Sequence, residues 1–118
     1  MNSRSEPGQP DQARTEHRVV IKIIDDEWRV ILADNENKSD VTARRGDRIR
    51  WTVEGSDASF QFSDERLVGH STRKVRDGNP LVLAISNDAV NGIHPYAVFI
   101  HKDQTYARGQ SPPRIIVM

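Results

Sequence analysis

The segment GDRIRWTV, residues 46–53, indicates the fold class most clearly. After the Gly46-Asp47 turn, large apolar residues alternate strictly with polar ones. The apolar set is Ile49, Trp51 and Val53, and the polar set is Arg48, Arg50 and Thr52. A period of two places successive side chains on opposite faces of a β-strand, so one face is predicted to be core and the other solvent. Trp51 is therefore predicted to anchor the core.

The same strand signature continues on both sides of this segment. The runs RVVIKII (18–24) and WRVILA (28–33) flank the acidic residues 25–27 and predict a β-hairpin with a tight turn. Further strands are predicted near Val41, at Phe60 and Phe62, and over residues 81–85, 96–100 and 114–117. About eight short strands separated by turn residues are typical of an all-β, antiparallel Greek-key β-sandwich. Residues 63–79 have no clear period and are predicted to form a loop or one helical turn.

Residues 1–17 differ from the rest of the chain in composition. They are rich in Pro, Gly, Gln, Ser and charge, and Met1 and Ala13 are their only apolar residues. Because they offer so little surface to bury, we predict a disordered tail over 1–17 that folding does not need, followed by one domain over 18–118. The alternative for the tail is an arm that folds on contact with a partner.

Composition excludes several classes of function. Seventeen basic and seventeen acidic residues cancel, so the chain lacks the field of an obligate nucleic-acid binder. The absence of cysteine excludes disulfides, thiolate nucleophiles, zinc ribbons and iron–sulfur clusters. No signal-peptide core and no apolar run long enough for a membrane helix is present, so we expect a cytoplasmic protein with no membrane partner.

Four motifs resemble a cupredoxin-like domain. They are the turn and strand over residues 46–51, the aromatic pattern Phe60-x-Phe62-x-Asp64, the strand over 96–100 and the apolar closing strand over 114–117. Their order and spacing resemble the later strands of that fold over residues 41–117, although similar elements occur in immunoglobulin-like sandwiches. The resemblance implies a cupredoxin-like scaffold, and a fold alone does not give a function.

The copper ligands of that family are missing from this chain. Cupredoxins that hold copper use a His after the Gly-Asp strand and a Cys, a His and a Met around the last long loop, because two imidazoles and a thiolate make a trigonal site. On this sequence the first His falls near Ala58 and the Cys near Ile100. His101 follows, and no Met lies in the loop up to Pro113. The protein is therefore expected to bind no copper in the cupredoxin manner.

Other candidate chemistry is sparse. His70, His94 and His101 are the weak candidates for a metal site, but their spacing matches no zinc motif, and surface histidines are the preferred interpretation. No serine lies in a nucleophile elbow and no Gly-rich phosphate loop is present, so no catalytic residue and no cofactor is predicted. The protein is thus expected not to be an enzyme.

Two pairs of residues are candidates for contacting a ligand or partner. Arg48 and Arg50 share the solvent face of one strand, where they could bind an anion or simply protect the sheet. Tyr96 and Tyr106 lie near strand ends, where an amphipathic ring could line a pocket. The alternative for Tyr96 is core packing, which its alternating strand position predicts for it together with Trp28, Trp51, Phe60, Phe62 and Phe99. We interpret the chain as a non-enzymatic binding or protein-interaction module for an unknown protein or small ligand. A homo-oligomer formed by edge-strand pairing is compatible with this interpretation. The alternative is a small-ligand or metal-binding protein that uses the histidines of the strand-end loops.

Overall fold

The computed structural model describes residues 15–109 and 112–118. Ten strands are described: β1 (Glu16–Ile24), β2 (Glu27–Leu32), β3 (Val41–Ala43), β4 (Arg48–Val53), β5 (Ala58–Phe62), β6 (Thr72–Val75), β7 (Pro80–Ala84), β8 (Gly92–Ile100), β9 (Thr105–Tyr106) and β10 (Arg114–Val117). They form two sheets, which confirms the predicted all-β sandwich. Among the described residues, no helix is long and apolar enough to span a membrane.

The strand order of both sheets shows how the chain crosses between them. The smaller sheet has the order β2-β1-β4-β7, and the larger has β3-β10-β8-β5-β6, with β9 paired to β8. Most neighbours are antiparallel, but β1 pairs with β4, and β3 with β10, in parallel. A parallel pair results because the chain leaves the smaller sheet after β2 and returns on the other side of β1. The sequence pattern predicted antiparallel sheets, whereas both sheets contain one parallel pair and are therefore mixed.

The core lies between the two sheets and has Trp51 at its centre. Ile49, Trp51 and Val53 have no exposed surface, which confirms the alternation seen in residues 46–53. The Trp51 ring packs against the rings of Phe60, Phe62 and Tyr96, with centroid distances of 5.4, 5.8 and 5.7 Å. Aromatic rings contribute the largest buried areas of a small core, so this cluster ties the two sheets together.

The first hairpin forms as predicted, but its strand begins earlier. Asp25 and Asp26 both have positive φ, 51° and 65°, as the tightest two-residue hairpin turn requires. The strand β1 starts at Glu16, whereas the sequence pattern placed its start at Arg18 and assigned 16 and 17 to the tail. Their polar side chains gave no apolar signal, yet their backbones pair with Arg48 and Ile49 of β4. The rest of the predicted tail, residues 1–14, lies outside the described residues.

Residues 63–79 contain hydrogen-bonded turns and one strand. The N–H of Leu67 donates to the carbonyl of Asp64, and that of Gly69 to the carbonyl of Glu65, so part of the predicted turn is present. The strand β6 follows and pairs with β5 at the edge of the larger sheet. Its sequence, TRKV, has one apolar residue because an edge strand with charged side chains buries little. The prediction of a loop or one helical turn was therefore wrong for the residues of β6.

Candidate functional site

The three histidines proposed as metal ligands lie apart. His70 is exposed in the loop before β6, with Nε2 3.3 Å from the guanidinium of Arg73. His94 is buried in β8, and its Nε2 donates to the carbonyl of Val90 at 2.6 Å. His101 follows the other end of β8, seven residues along an extended strand and hence about 23 Å away. Within residues 15–109 and 112–118, no group of three or more His, Cys, Asp or Glu residues could hold a metal ion.

The end of the sandwich where the resemblance implies copper does not fit that metal. Ala58 and Ile100 occupy the positions of two ligands, are paired across β5 and β8, and are fully buried with apolar side chains. The one imidazole nearby, that of His101, has its Nε2 2.7 Å from the hydroxyl of Ser59. A chain without a thiolate and with one imidazole at this end cannot build the trigonal site.

The contact between Ser59 and His101 is a feature that motif reasoning missed. Ser59 pairs with Phe99 across the sheet, and His101 lies two residues further along the same face. A catalytic serine needs a base that is itself oriented by a third group. Among the described residues, no carboxylate is hydrogen-bonded to the second ring nitrogen of His101. The pair is therefore a cross-strand contact on the outer face rather than a nucleophile with its complete base.

A second aromatic cluster lies on the outer face of the larger sheet. The strand β9 places Tyr106 beside Phe99, with ring centroids 5.2 Å apart at 68°. The His101 ring also packs edge-on against Phe99, with ring centroids 5.5 Å apart. Tyr106 keeps 51% of its surface exposed. Phe99 holds the Tyr106 ring from one side while leaving the rest accessible to a ligand.

Tyr96, the other tyrosine proposed as a contact residue, has its ring in the core. Only 3% of Tyr96 is exposed, and its hydroxyl accepts a hydrogen bond from Nε1 of Trp51 at 3.1 Å. Burial raises the pKa of Tyr96 well above its ordinary value. The phenol is therefore neutral and structural, because its polar atom is already used inside the protein.

Tyr106 stands at the rim of an open groove, which we call the Tyr106 groove. Its floor includes Gln61 of β5 and Ala97 of β8, which are partners across the sheet, and Tyr96 also borders the groove although its ring is buried. Its walls include Tyr106 and Arg108 on one side and the Pro112-Pro113 pair on another. The groove encloses about 730 Å³, which is in the range of small-ligand sites. Exposed side chains of three different chemical types thus converge on one concave surface.

The wall of the Tyr106 groove is held by both sheets. The N–H of Ala107 donates to the carbonyl of Val98 in the larger sheet. Arg108 pairs with the edge strand of the smaller sheet, donating to the carbonyl of Trp28 and accepting from the N–H of Val30. These bonds use the backbone only. The side chains of Tyr106 and Arg108 are consequently positioned by a rigid backbone but left available.

A second cavity, of about 470 Å³, lies near the start of β1. Several of its charged side chains are paired within the protein: Glu16 with Arg18 and Arg50, and Asp40 with Arg114. The hydrogen bond from Arg50 is the main cause that lowers the pKa of Glu16. Of the two arginines proposed as contact residues, Arg50 is thus in an ion pair and Arg48 stays exposed beside it. Asp34 on the same cavity is exposed, and Oδ1 of Asp40 is buried without a hydrogen-bond partner among the described residues.

Asp47 stabilises the turn that precedes β4. Its carboxylate accepts hydrogen bonds from the backbone N–H groups of Thr15 and Arg44 and lies 3.0 Å from Nε2 of His17. Burial acts to raise the pKa of Asp47, but the bonds from His17, Arg44 and Thr15 lower it below the usual value. The contact joins the start of β1 to the turn before β4, so it is structural.

Comparison with known proteins finds similarity in structure alone. None of the protein-family models matches the sequence. The search of curated proteins also yields no significant match. A Cu(I) structure of an amicyanin variant is 11% identical over 86% of this chain and 82% of that chain, with a TM-score of 0.49. A reduced Cu(I) form of another amicyanin variant at pH 4 is 11% identical over 92% of this chain and 85% of that chain, with a TM-score of 0.48.

Copper is a property of those amicyanin structures, and at this identity it is not carried over to this chain. The strand order and the missing ligands are features of the chain itself. By its strand order the protein is a β-sandwich of two mixed sheets, and Ala58 and Ile100 stand where the resemblance to cupredoxins places copper ligands.

Proposed function

We propose that the protein is a non-enzymatic binding module whose Tyr106 groove takes up an extended peptide segment with a carboxylate. The observation that carries this proposal is the half-exposed Tyr106 ring, packed on Phe99 and placed beside the Arg108 side chain at the rim of the groove. An exposed aromatic ring fixed by its neighbours binds a partner with little loss of side-chain entropy.

Each group on the groove suits one part of such a ligand. Tyr106 offers an apolar ring face and a phenol that can form hydrogen bonds. Arg108 forms no ion pair with another described residue, so its guanidinium is free to bind a carboxylate through two parallel hydrogen bonds. Gln61 presents an exposed amide on the floor, which can bond to the backbone of a peptide.

The shape of the groove favours an extended ligand over a compact one. Its floor is formed by two neighbouring strands, and it is open to solvent along its length rather than closed over. Pro112 and Pro113 give one wall a fixed backbone conformation. Extended peptides dock into such aromatic-lined grooves in several modes of peptide recognition. The Tyr106 groove therefore fits a short segment of a partner protein.

The test is a titration of the labelled protein with two matched peptides, followed by backbone amide NMR. The first peptide is a proline-rich hexapeptide with one Glu, and the second has Gln in its place. We expect shifts confined to the groove, at Gln61, Ala97 and residues 105–109, with weaker binding of the Gln peptide. Tyr106→Ala should weaken binding of the Glu peptide at least about tenfold, while Tyr106→Phe, which keeps the ring, should retain most of it.

Arg108→Gln provides the matched control for charge. It should bind the Glu and Gln peptides equally, because the backbone bonds of residue 108 that hold the wall remain. Shifts centred on Arg48 and Arg50 instead of the groove would contradict the proposal. So would the absence of any saturable shift at millimolar peptide, or unchanged affinity in Tyr106→Ala.

A further inference from the structure

The strand β7 ends the smaller sheet and carries no charged residue. Pro80, Val82 and Ala84 are exposed on its outer face, while Leu81 and Leu83 are buried against the core. Val82 has 38% of its surface exposed. One side of β7 pairs with β4, and within the described residues no strand pairs with the other side. An apolar, unpaired sheet edge is a template for another strand.

The backbone direction of β7 follows from its bonds to β4. The N–H of Ile85 donates to the carbonyl of Asp47 at 2.8 Å, continuing the β4–β7 register. In an antiparallel pair successive residues point their backbone groups alternately toward and away from the neighbour. Residues 81 and 83 therefore bond to β4. The N–H groups of Val82 and Ala84, and the carbonyls of both and of Pro80, point away from the sheet.

The β6 edge of the larger sheet is protected differently from β7. There the outermost strand is β6, whose sequence TRKV places Arg73 and Lys74 in its middle. Charged side chains on an edge, especially Lys, oppose pairing with another chain because pairing would bury them. β7 has only Pro80 at its first position as protection. Of these two edges, β6 is protected by charge and β7 is not.

We propose that β7 pairs with β7 of a second copy of this chain, antiparallel about a two-fold axis at Val82. In this register the two Val82 residues exchange both N–H···O bonds. Ala84 lies opposite Pro80 of the second copy, and its N–H donates to that proline's carbonyl. The ladder therefore has four hydrogen bonds, and the missing N–H of proline removes one bond per chain. A self-complementary edge of this kind favours a second copy over an unrelated strand.

Charges near the two-fold axis are well separated in this register. The like charges nearest to the axis are the two Arg50 side chains, which are three strand spacings or about 14 Å apart. At this distance their repulsion is screened at physiological salt, and Glu16 partly neutralises each of them. Because the contact is small, the dimer is expected to be weak and concentration-dependent.

The test is sedimentation equilibrium of the full chain from micromolar to millimolar concentration, with amide hydrogen exchange at both ends of that range. We expect a monomer–dimer equilibrium, with the amides of Val82 and Ala84 protected at high concentration only. Val82→Pro removes an N–H that β4 does not use and should weaken the dimer at least about tenfold. Val82→Thr, which keeps the N–H and the branched shape, should dimerise like the wild type.

Val82→Lys provides a second disruptive variant if Val82→Pro does not fold, because it keeps the backbone and adds a charge at the axis. A chain that stays monomeric up to millimolar concentration would overturn the proposal. A dimer that persists in both Val82→Pro and Val82→Lys, or that leaves the Val82 amide unprotected, would equally overturn it by placing the contact elsewhere.

Discussion

The protein has two aromatic clusters on opposite sides of one sheet. The inner cluster, of Trp51, Phe60, Phe62 and Tyr96, fills the space between the sheets. The outer cluster, of Phe99, His101 and Tyr106, lies on the solvent side. Both use β8, where Tyr96 points inward and Phe99 outward, as an odd residue spacing on a strand requires. Whether an aromatic residue of β8 lies in the core or on the outer face is therefore set by its position along the strand.

The difference between the clusters concerns their polar atoms as much as their burial. In the inner cluster the indole N–H of Trp51 and the hydroxyl of Tyr96 bond to each other, so neither needs water. In the outer cluster the phenol of Tyr106 stays at the rim of the Tyr106 groove. A satisfied polar pair specifies a core, whereas an accessible polar group is suited to recognition. Stability should depend on the first cluster and binding on the second.

The largest expected effect is the loss of stability when the inner cluster loses Trp51. Trp51→Ala removes the ring on which three others pack and leaves a cavity between the sheets, so it should reduce the free energy of unfolding by about 3–5 kcal/mol. This is a large part of the stability of a small domain. Urea unfolding, followed by far-UV circular dichroism, measures it. Stability close to that of the wild type would show that the inner cluster does not determine the stability of the fold.

A smaller effect tests the polar pair. Tyr96→Phe keeps the ring but leaves the buried N–H of Trp51 without its acceptor, which should cost about 1–3 kcal/mol. Tyr106→Phe is the matched control, since it removes a hydroxyl that water can reach, and should change stability by no more than about 0.5 kcal/mol. Thermal melts of both variants at one pH give the comparison. Equal costs for the two substitutions would show that the buried hydrogen bond does not distinguish the clusters.

The inner cluster could be predicted from the sequence, and the outer one could not. Alternation over residues 46–53 is a local signal, and burial of Trp51 follows from it directly. The pairing of β9 with β8 gives Tyr106 its neighbour Phe99, and no local pattern encodes that pairing across seven residues of chain. The strand-end position suggested Tyr96 and Tyr106 alike as contact residues, whereas alternation predicted core packing for Tyr96 and Phe99. That prediction is confirmed for Tyr96 and wrong for Phe99, which packs with Tyr106 on the outer face.

Polar and charged strand segments were the other features that could not be predicted from the sequence. The start of β1 at Glu16 and the strand β6 are held by pairing with β4 and β5, and their side chains carry too little apolar character to show it. The contact of Ser59 with His101 likewise depends on the register of β5 against β8. The first hairpin turn was easier to predict, because Asp25 and Asp26 tolerate the positive φ that this turn needs.

The smallest expected effect concerns the outer cluster. Tyr106→Ala should reduce the free energy of unfolding by about 1 kcal/mol or less, because half of the ring is already in water and burying a whole large side chain is worth about 1.5–3 kcal/mol. Most of that loss should be the contact with Phe99, so a double-mutant cycle with Phe99→Leu should give a coupling of about 0.5–1.5 kcal/mol. Urea unfolding of the four proteins measures both quantities. A loss above about 2 kcal/mol in Tyr106→Ala would mean that the ring supports the fold. Tyr106 would then be a structural residue like those of the inner cluster, and the assignment of stability to one cluster and binding to the other would be wrong.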